Sequence, residues 1–174
     1  MEKKREKLVT RRLVLKAFEE CDRSAMIEIF CNKEIKKTYM LPDFDSKEQA
    51  EPLFDRFVAL SKSDRFLYGV FLDGIPIGFI NDCEAKDSMI ELGYVITPAH
   101  QGKGYATEAV QCCIDELFRM GYTRVRAGFF AGNTASQRVM EKCGMHKIPL
   151  EEDIPYKGVT HHCYYYEIEK APFA

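Results

Sequence analysis

Apolar residues recur along the chain at two spacings, one typical of strands and one typical of helices. Strand-like runs cover residues 12–18, 66–72, 75–82, 89–96, 123–131 and 159–168. Helical spacing covers residues 22–30, 46–58, 105–120 and 133–143, with a shorter helix over 34–39. The pattern therefore predicts the order β-α-(α)-β-β-β-α-β-α-β, which is that of an α/β (α+β) chain.

Capping residues and a proline indicate where the first helices begin. Asp22 stands where a side chain can cap the helix that follows it. Ser46 with Gln49 has the spacing of a capping box. Pro52 conflicts with a helix that runs through it, because it removes a hydrogen bond at a cost of roughly 3 kcal/mol. We therefore expect this helix to begin nearer Glu51 or to bend there.

Two turns connect three consecutive strands in the middle of the chain. Asp73-Gly74 is a strong signal for a two-residue hairpin, and residues 86–88 form the next turn. Three antiparallel strands are therefore predicted to precede residue 97.

Composition favours one soluble globular domain over residues 1–174. The chain has 174 residues, of which 46% are hydrophobic and 30% charged, so it can bury a sizeable core. A net charge of −2 gives no indication of a nucleic-acid or membrane partner. No apolar run approaches the ~20 residues of a membrane span, and the charged segment 1–7 lacks the apolar centre of a signal peptide.

Cysteine and histidine positions favour neither a disulfide framework nor a metal site. The seven cysteines are odd in number and contain no CxxC spacing, so we predict reduced thiols and a cytoplasmic protein. His161 and His162 are adjacent on a predicted strand and would point to opposite faces. We therefore expect no bound metal.

The segment 101–106, hereafter the glycine loop, carries the main functional signal. It lies between the strand 89–96 and the helix 105–120, and its sequence is QGKGYA. Gly102 and Gly104 allow a tight turn and a close approach by a ligand, while a helix N-terminus attracts an anion. The phosphate-binding motif of P-loop proteins does not fit, because Gly104 replaces its Ser or Thr, and the dinucleotide fingerprint fails at Thr107.

The pattern Gln-x-x-Gly-x-Ala at 101–106 resembles the pyrophosphate-binding motif of the GNAT acyltransferases, whose cosubstrate is acetyl-coenzyme A. The resemblance extends to 91–94, 106–109, Asn133 and 143–145 and spans about residues 10–170. The first strand, with Thr10–Leu15, and the second helix look like the RimJ/RimL branch. The resemblance implies a mixed, mostly antiparallel twisted sheet of six to seven strands with helices on both faces.

The same resemblance implies a binding site for acetyl-CoA. In GNAT proteins a bulged strand before the glycine loop exposes a backbone N–H to the thioester oxygen, which here places Tyr94, Val95 and Ile96 beside the pantetheine arm. The implied cosubstrate contacts beyond that strand are Gln101, Gly102, Lys103, Gly104, Tyr105, Ala106, Asn133 and Ser136.

Glu91 is the candidate general base. It is a carboxylate within an otherwise apolar strand, where a raised pKa would suit the deprotonation of an ammonium group. Related proteins keep an acid at this position. The alternatives are that Glu91 contacts the cationic substrate without moving a proton, or that it lies on a solvated sheet face.

Ser136 is the candidate proton donor to the leaving thiolate. Many GNAT relatives have a tyrosine where this chain has Met140, and some Rim-type enzymes instead have a serine at the position of Ser136. The alternative is a serine that only satisfies backbone groups at the start of a helix capped by Asn133.

The resemblance implies an acetyltransferase that moves an acetyl group from acetyl-CoA to a primary amine by direct attack in a ternary complex. The acceptor would be a protein N-terminus or a small amine, and a homodimer is common in the family. The absence of the usual tyrosine leaves open a coenzyme A sensor without turnover. A nucleotide-binding regulator is disfavoured by the failed P-loop pattern.

Overall fold

A computed structural model describes residues 6–172, which form eight strands and four helices. The N-terminal segment considered above thus lies largely outside the described residues. The strands are β1 (Leu8–Val9), β2 (Val14–Lys16), β3 (Leu67–Leu72), β4 (Ile75–Lys86), β5 (Met89–Ile96), β6 (Arg124–Phe130), β7 (His146–Tyr156) and β8 (Val159–Glu169). The helices are α1 (Arg23–Cys31), α2 (Glu51–Ser61), α3 (Tyr105–Met120) and α4 (Thr134–Lys142).

The strands form one sheet in the order β1-β2-β3-β4-β5-β6-β8-β7. Strands β5 and β6 pair in parallel from Met89 opposite Arg124 to Leu92 opposite Ala127. The pairs β1–β2, β2–β3, β3–β4, β6–β8 and β7–β8 are antiparallel. The predicted mixed, mostly antiparallel sheet is confirmed, with eight strands rather than six to seven. The two edge strands, β1 and β7, were not predicted.

Contacts divide the chain into two compact units. The first contains the residues up to Asn81 together with Tyr94–Ala109, and its core is a hydrophobic cluster that includes several phenylalanine rings. In that cluster the ring of Phe57 lies 4.8 Å from Phe30 and 5.0 Å from Phe79, centroid to centroid. The second unit contains Asp82–Gly93 and the residues from Val110 onward. The single-domain organisation of residues 1–174 stays a prediction.

Two of the predicted capping interactions are wrong. Asp22 occupies the N-cap position of α1 but its carboxylate accepts from the backbone N–H of Glu19 at 2.8 Å, so it caps the preceding 3₁₀ turn instead. Ser46 makes no side-chain cap bond, and Gln49 accepts from the N–H of Asp45 at 3.0 Å. Residues 47–50 form a 3₁₀ turn that precedes α2.

Local chemistry explains the remaining boundaries. Helix α2 begins at Glu51 with Pro52 in its first turn, as the proline argument predicted, because that position needs no N–H donor. The segment predicted as a short helix over 34–39 is a single 3₁₀ turn, Ile35–Lys37. In the hairpin between β3 and β4, Asp73 and Gly74 have φ of 50° and 80°, which confirms the two-residue turn.

The seven cysteines all lie within the described residues and are free in the structure, and their reduced state in the cell stays a prediction. None of the helices in the described range combines the length and the apolar character needed to span a membrane.

Candidate active site

The glycine loop connects the end of β5 to the start of α3. A 3₁₀ turn, Pro98–His100, leaves the strand, and the loop then turns at Gly102 and Gly104, whose φ angles are 72° and 82°. These angles lie in the left-handed region, which only glycine enters at little cost. Gln101 donates its side-chain amide to the carbonyl of Ile96 at 2.9 Å. This bond ties the loop to the end of the strand.

The backbone of the glycine loop is open to a ligand. A Cβ built on Gly102 would meet no atom within 4 Å, and one built on Gly104 would meet only Nη2 of Arg12, at 3.2 Å. The loop leads directly into α3, a helix of 16 residues whose N-terminus carries the positive end of its dipole. These features are those of an anion-binding site, and the binding of a diphosphate here stays a prediction.

Arg12 and Glu108 form an ion pair beside the glycine loop. The Nε of Arg12 donates to Oε2 of Glu108 at 2.7 Å, and its Nη1 donates to the carbonyl of Lys103 at 2.9 Å. The guanidinium lies 4.4 Å from the ring centroid of Tyr105. Sequence reasoning placed Arg12 only in the first predicted strand, residues 12–18, because its partners lie more than 90 residues away.

Glu91 lies on β5 opposite Arg126 of β6 and is partly buried. Burial raises the pKa of Glu91 to about 7. The positive charge of Arg126 opposes this shift, while the negative charges of Glu84 and Glu152 add to it. A carboxyl group with this pKa can accept and release a proton near neutral pH.

Arg126 is shared between two carboxylates. Its Nε donates to Oε2 of Glu167 at 3.2 Å, and its Nη2 lies 3.1 Å from the same oxygen. Glu167 is 6% exposed and stands directly opposite Arg126 in the β6–β8 ladder. Because paired residues share a face of the sheet, Glu91, Arg126 and Glu167 form one charged row across three strands.

Tyr165 lies on the same face as this charged row. It stands opposite Gly128 in the β6–β8 ladder, and a Cβ on Gly128 would come within 2.7 Å of the Tyr165 ring. The phenol donates to Oε2 of Glu152 at 2.6 Å. Burial raises the pKa of Tyr165, and the hydrogen bond to Glu152 raises it further, so the hydroxyl stays protonated.

Known proteins resemble this chain over most of its length. The profile of the acetyltransferase (GNAT) domain matches residues 12–146. The chain belongs to the GNAT acetyltransferase family. An uncharacterised N-acetyltransferase of Bacillus subtilis, YoaA, is 31% identical over 160 residues, which is 88% of this chain and 90% of that protein. This chain is therefore an N-acetyltransferase by family.

Solved structures agree with this assignment. A GNAT-family acetyltransferase from Bacillus anthracis superimposes with a TM-score of 0.82 at 27% identity, covering 94% of this chain and 98% of that one. RimL, a ribosomal L7/L12 alpha-N-protein acetyltransferase solved in complex with coenzyme A, superimposes with a TM-score of 0.80 at 18% identity. That comparison covers 94% of this chain and 98% of RimL and concerns the fold.

In this acetyltransferase, Asn133 caps α4 as predicted. Its side-chain oxygen accepts the backbone N–H of Ser136 at 3.2 Å. The cap therefore uses the main chain of Ser136 and not its hydroxyl. Met140, which stands where many GNAT relatives have a tyrosine, is fully buried. The contacts of Asn133 and Ser136 with the cosubstrate stay predictions.

The two histidines of β8 differ in their surroundings. The ring of His161 stacks on Phe130 with a centroid separation of 4.4 Å. His162 lies between Asp153, at 2.7 Å, and Glu151, at 3.0 Å. The hydrogen bond to Asp153, with that to Glu151, raises the pKa of His162. Residues 6–172 contain no group of three or more side chains arranged to hold a metal ion.

Proposed function

We propose that this acetyltransferase moves an acetyl group from acetyl-CoA to a primary amine by direct attack in a ternary complex, with Glu91 as the general base. The observation that carries the proposal is the partly buried carboxyl group of Glu91, whose pKa is raised to about 7. An amine is nucleophilic only when it is neutral, so a carboxylate that accepts its proton near neutral pH assists the reaction.

The cosubstrate supplies the activated acetyl group as a thioester, and the chain supplies its binding site. The backbone of residues 101–106 would hold the diphosphate, an assignment that the open space beside Gly102 and the exposure of residues 101–104 support. The side chains of Val95 and Ile96 are buried, so we assign their contribution, with that of Tyr94, to backbone contacts with the pantetheine arm.

Ser136 is proposed to protonate the departing thiolate. Its backbone N–H already serves the Asn133 cap, so a catalytic role would belong to its hydroxyl. Met140 cannot serve in its place, since a thioether has no proton to donate and this one lies in the core.

The acceptor is proposed to be a protein N-terminus or a small amine, as in the RimJ/RimL branch. RimL, whose fold this chain shares, acts on the alpha-amino group of a ribosomal protein. The negative charges of Glu84 and Glu152 near Glu91 would favour an acceptor that arrives as an ammonium ion. A cytoplasmic location and a homodimer belong to the same proposal.

A panel of amines tests this function. Release of free coenzyme A from acetyl-CoA would be measured with N-terminal peptides, amino acids, polyamines and aminoglycosides, each with an amine-free control. We expect release with at least one acceptor and acetylation of its amine by mass spectrometry. If no acceptor supports release while coenzyme A still binds, the chain is a coenzyme A sensor instead.

Replacement of Glu91 by Gln tests the base. The substitution keeps the shape but cannot accept a proton, so kcat/KM should fall by roughly 10²–10⁴ at neutral pH. In the parent, kcat/KM should rise with pH through about 7, because only the ionised carboxyl acts as a base. The difference should shrink near the pKa of the amine itself, where the substrate arrives neutral. An equal loss at every pH would assign Glu91 a binding role.

A further inference from the structure

The guanidinium of Arg12 is fixed at two points beside the glycine loop. One point is the carboxylate of Glu108 in the first turn of α3, which accepts from the backbone N–H of Arg12 and from its Nε, both at 2.7 Å. The other point is the carbonyl of Lys103, which accepts from Nη1 at 2.9 Å. The side chain therefore bridges the loop and the helix that the loop begins.

Glu108 is itself held in place as an anion. Thr10 donates its hydroxyl to Oε1 of Glu108 at 2.6 Å, the same oxygen that accepts the N–H of Arg12. Burial alone would raise the pKa of Glu108, but the hydrogen bonds from Thr10 and Arg12 outweigh it and lower that pKa. The carboxylate therefore stays ionised and can orient the guanidinium at neutral pH.

The third guanidinium nitrogen faces the loop. Nη2 of Arg12 would lie 3.2 Å from a Cβ on Gly104, so this nitrogen is in close contact with the backbone of the glycine loop. Within residues 6–172, the hydrogen bonds of the Arg12 side chain use Nε and Nη1 and leave the donors of Nη2 for another acceptor. Residues 101–104 are exposed, and the Arg12 side chain is 38% exposed, so a ligand can reach this nitrogen.

We propose that Arg12 is a further binding residue for acetyl-CoA, with Nη2 donating to a diphosphate oxygen held over Gly102 and Gly104. Arginine suits this task because its planar fork can bind a carboxylate on one edge and a phosphate on the other. Glu108 and Thr10 are then positioning residues that act through Arg12. This inference rests on the proposed binding of acetyl-CoA at the glycine loop.

The test compares two variants that break the same ion pair. Arg12→Gln removes the cation, whereas Glu108→Gln removes its partner and keeps the cation. The dissociation constant of coenzyme A would be measured by calorimetry at two salt concentrations. We expect Arg12→Gln to weaken binding by about 10- to 100-fold, the range for a charge-assisted hydrogen bond. Glu108→Gln should weaken it less, and Arg12→Lys should fall between the parent and Arg12→Gln.

Truncated ligands locate the contact. Acetyl-pantetheine lacks the diphosphate, so kcat/KM with this substrate should be the same for Arg12→Gln and the parent, which also shows that the variant is folded. With 3′-dephospho-coenzyme A, the loss caused by Arg12→Gln should be as large as with coenzyme A. If that loss disappears, Arg12 contacts the 3′-phosphate and the diphosphate assignment is overturned. If Arg12→Gln and Glu108→Gln lose the same affinity for coenzyme A, the Arg12–Glu108 ion pair only supports the loop, and the proposed contact of Arg12 with the diphosphate is overturned.

Gly104→Val separates this inference from the proposed function. A valine there would be strained at φ of 82° and would obstruct the ligand. If folded Gly104→Val binds coenzyme A as tightly as the parent, the glycine loop is not the diphosphate site and the proposed function fails there. If Gly104→Val loses binding while Arg12→Gln does not, only the assignment of Arg12 is overturned.

Discussion

At the scale of single residues, the pKa of Glu91 depends on Arg126, whose positive charge acts on both Glu91 and Glu167. Burial raises the pKa of Glu91, and Arg126 is the cation that opposes it. Arg126 also hydrogen-bonds Glu167, which is almost fully buried. A guanidinium that is committed to a second carboxylate neutralises Glu91 less. We therefore expect Glu167 to help keep Glu91 protonatable near neutral pH.

Substitutions of Arg126 and Glu167 should shift the pKa of Glu91 in opposite directions. Arg126→Gln should raise it, because the opposing charge is lost, and Glu167→Gln should lower it, because Arg126 then serves Glu91 alone. The acid limb of the pH profile, where kcat/KM rises with pH, should therefore move to higher pH in Arg126→Gln and to lower pH in Glu167→Gln. A ¹³C-carboxyl NMR titration, with the Glu91 signal identified by its absence from Glu91→Gln, measures the same shift without turnover.

Arg124→Gln is the matched control for these substitutions. Arg124 lies on the same strand as Arg126, and its Nη1 is 3.9 Å from Oε1 of Glu167, so the variant removes a nearby charge but not the hydrogen bond. It should leave the acid limb nearly in place. If Arg126→Gln and Glu167→Gln shift the pKa of Glu91 in the same direction, the idea that Arg126 acts on both carboxylates is contradicted.

Individual residues also show where sequence reasoning stopped. Glu91 was predicted as the general base because a carboxylate within an apolar strand is unusual even before its neighbours are known. Arg12 was not predicted as a binding residue, because an arginine at the start of a predicted strand is ordinary until its contacts with Lys103 and Glu108 are known. The partnership of Arg126 and Glu167 likewise depends on the register between β6 and β8, which no local pattern gives.

At the scale of elements, two residues at the N-terminus of α4 have roles that can be tested separately, a structural role for Asn133 and a catalytic role for Ser136. The cap joins the side chain of Asn133 to the backbone N–H of Ser136, so a change of the serine side chain leaves this bond intact. Asn133→Ala should cost about 1 kcal/mol of stability, which lowers the thermal midpoint by roughly 2–4 °C. Ser136→Ala should lower kcat modestly and preserve the affinity for acetyl-CoA.

One set of measurements checks both variants. Thermal midpoints would be followed by circular dichroism, and kcat would be measured with saturating acetyl-CoA and the best acceptor from the amine panel. Unchanged kcat in Ser136→Ala would remove this hydroxyl from the mechanism. In that case a tyrosine of β8 or water would have to protonate the thiolate, and Tyr165 would be the tyrosine to replace first.

Elements with a clear period were predicted well, and the edge strands were not. Helix α3 and strand β5 have the predicted bounds, because α3 repeats its apolar residues at helical spacing and β5 is an apolar run of strand length. Strand β7 contains Pro149, Pro155 and the acidic run 151–153, residue types that are depleted in strands and so hid it from the pattern. Charged residues and prolines are typical of sheet edges, because they discourage pairing with other chains. Strand β1 has only two residues, which is too short to show a pattern of apolar and polar positions.

At the scale of the whole molecule, the order of elements and the glycine loop together identified the family, whereas the acceptor amine did not emerge from either. The family profile matches 12–146, a range that includes both Glu91 and the glycine loop. Acceptor choice depends on side chains that many elements bring together, and their positions follow from packing rather than from any single motif.

The raised pKa of Glu91 should also be visible in the stability of the whole protein. Between pH 4.5 and about 7, the folded state keeps a proton that the unfolded state has already lost. The free energy of unfolding contributed by Glu91 therefore falls as pH rises through this window and is constant above it. The full difference corresponds to roughly 3 kcal/mol, which is the cost of ionising a carboxyl group in this environment.

Glu91→Gln removes this titration and should stabilise the protein at alkaline pH. Denaturant unfolding of the parent and the variant would be compared from pH 4 to 9. Every other titrating group is common to both proteins, so the difference between their unfolding free energies isolates Glu91. The variant should gain up to about 3 kcal/mol above pH 7 and nothing below pH 4.5. A difference that stays constant across this range would mean that Glu91 titrates as an ordinary surface carboxylate, and it would remove the physical basis for assigning it as the base.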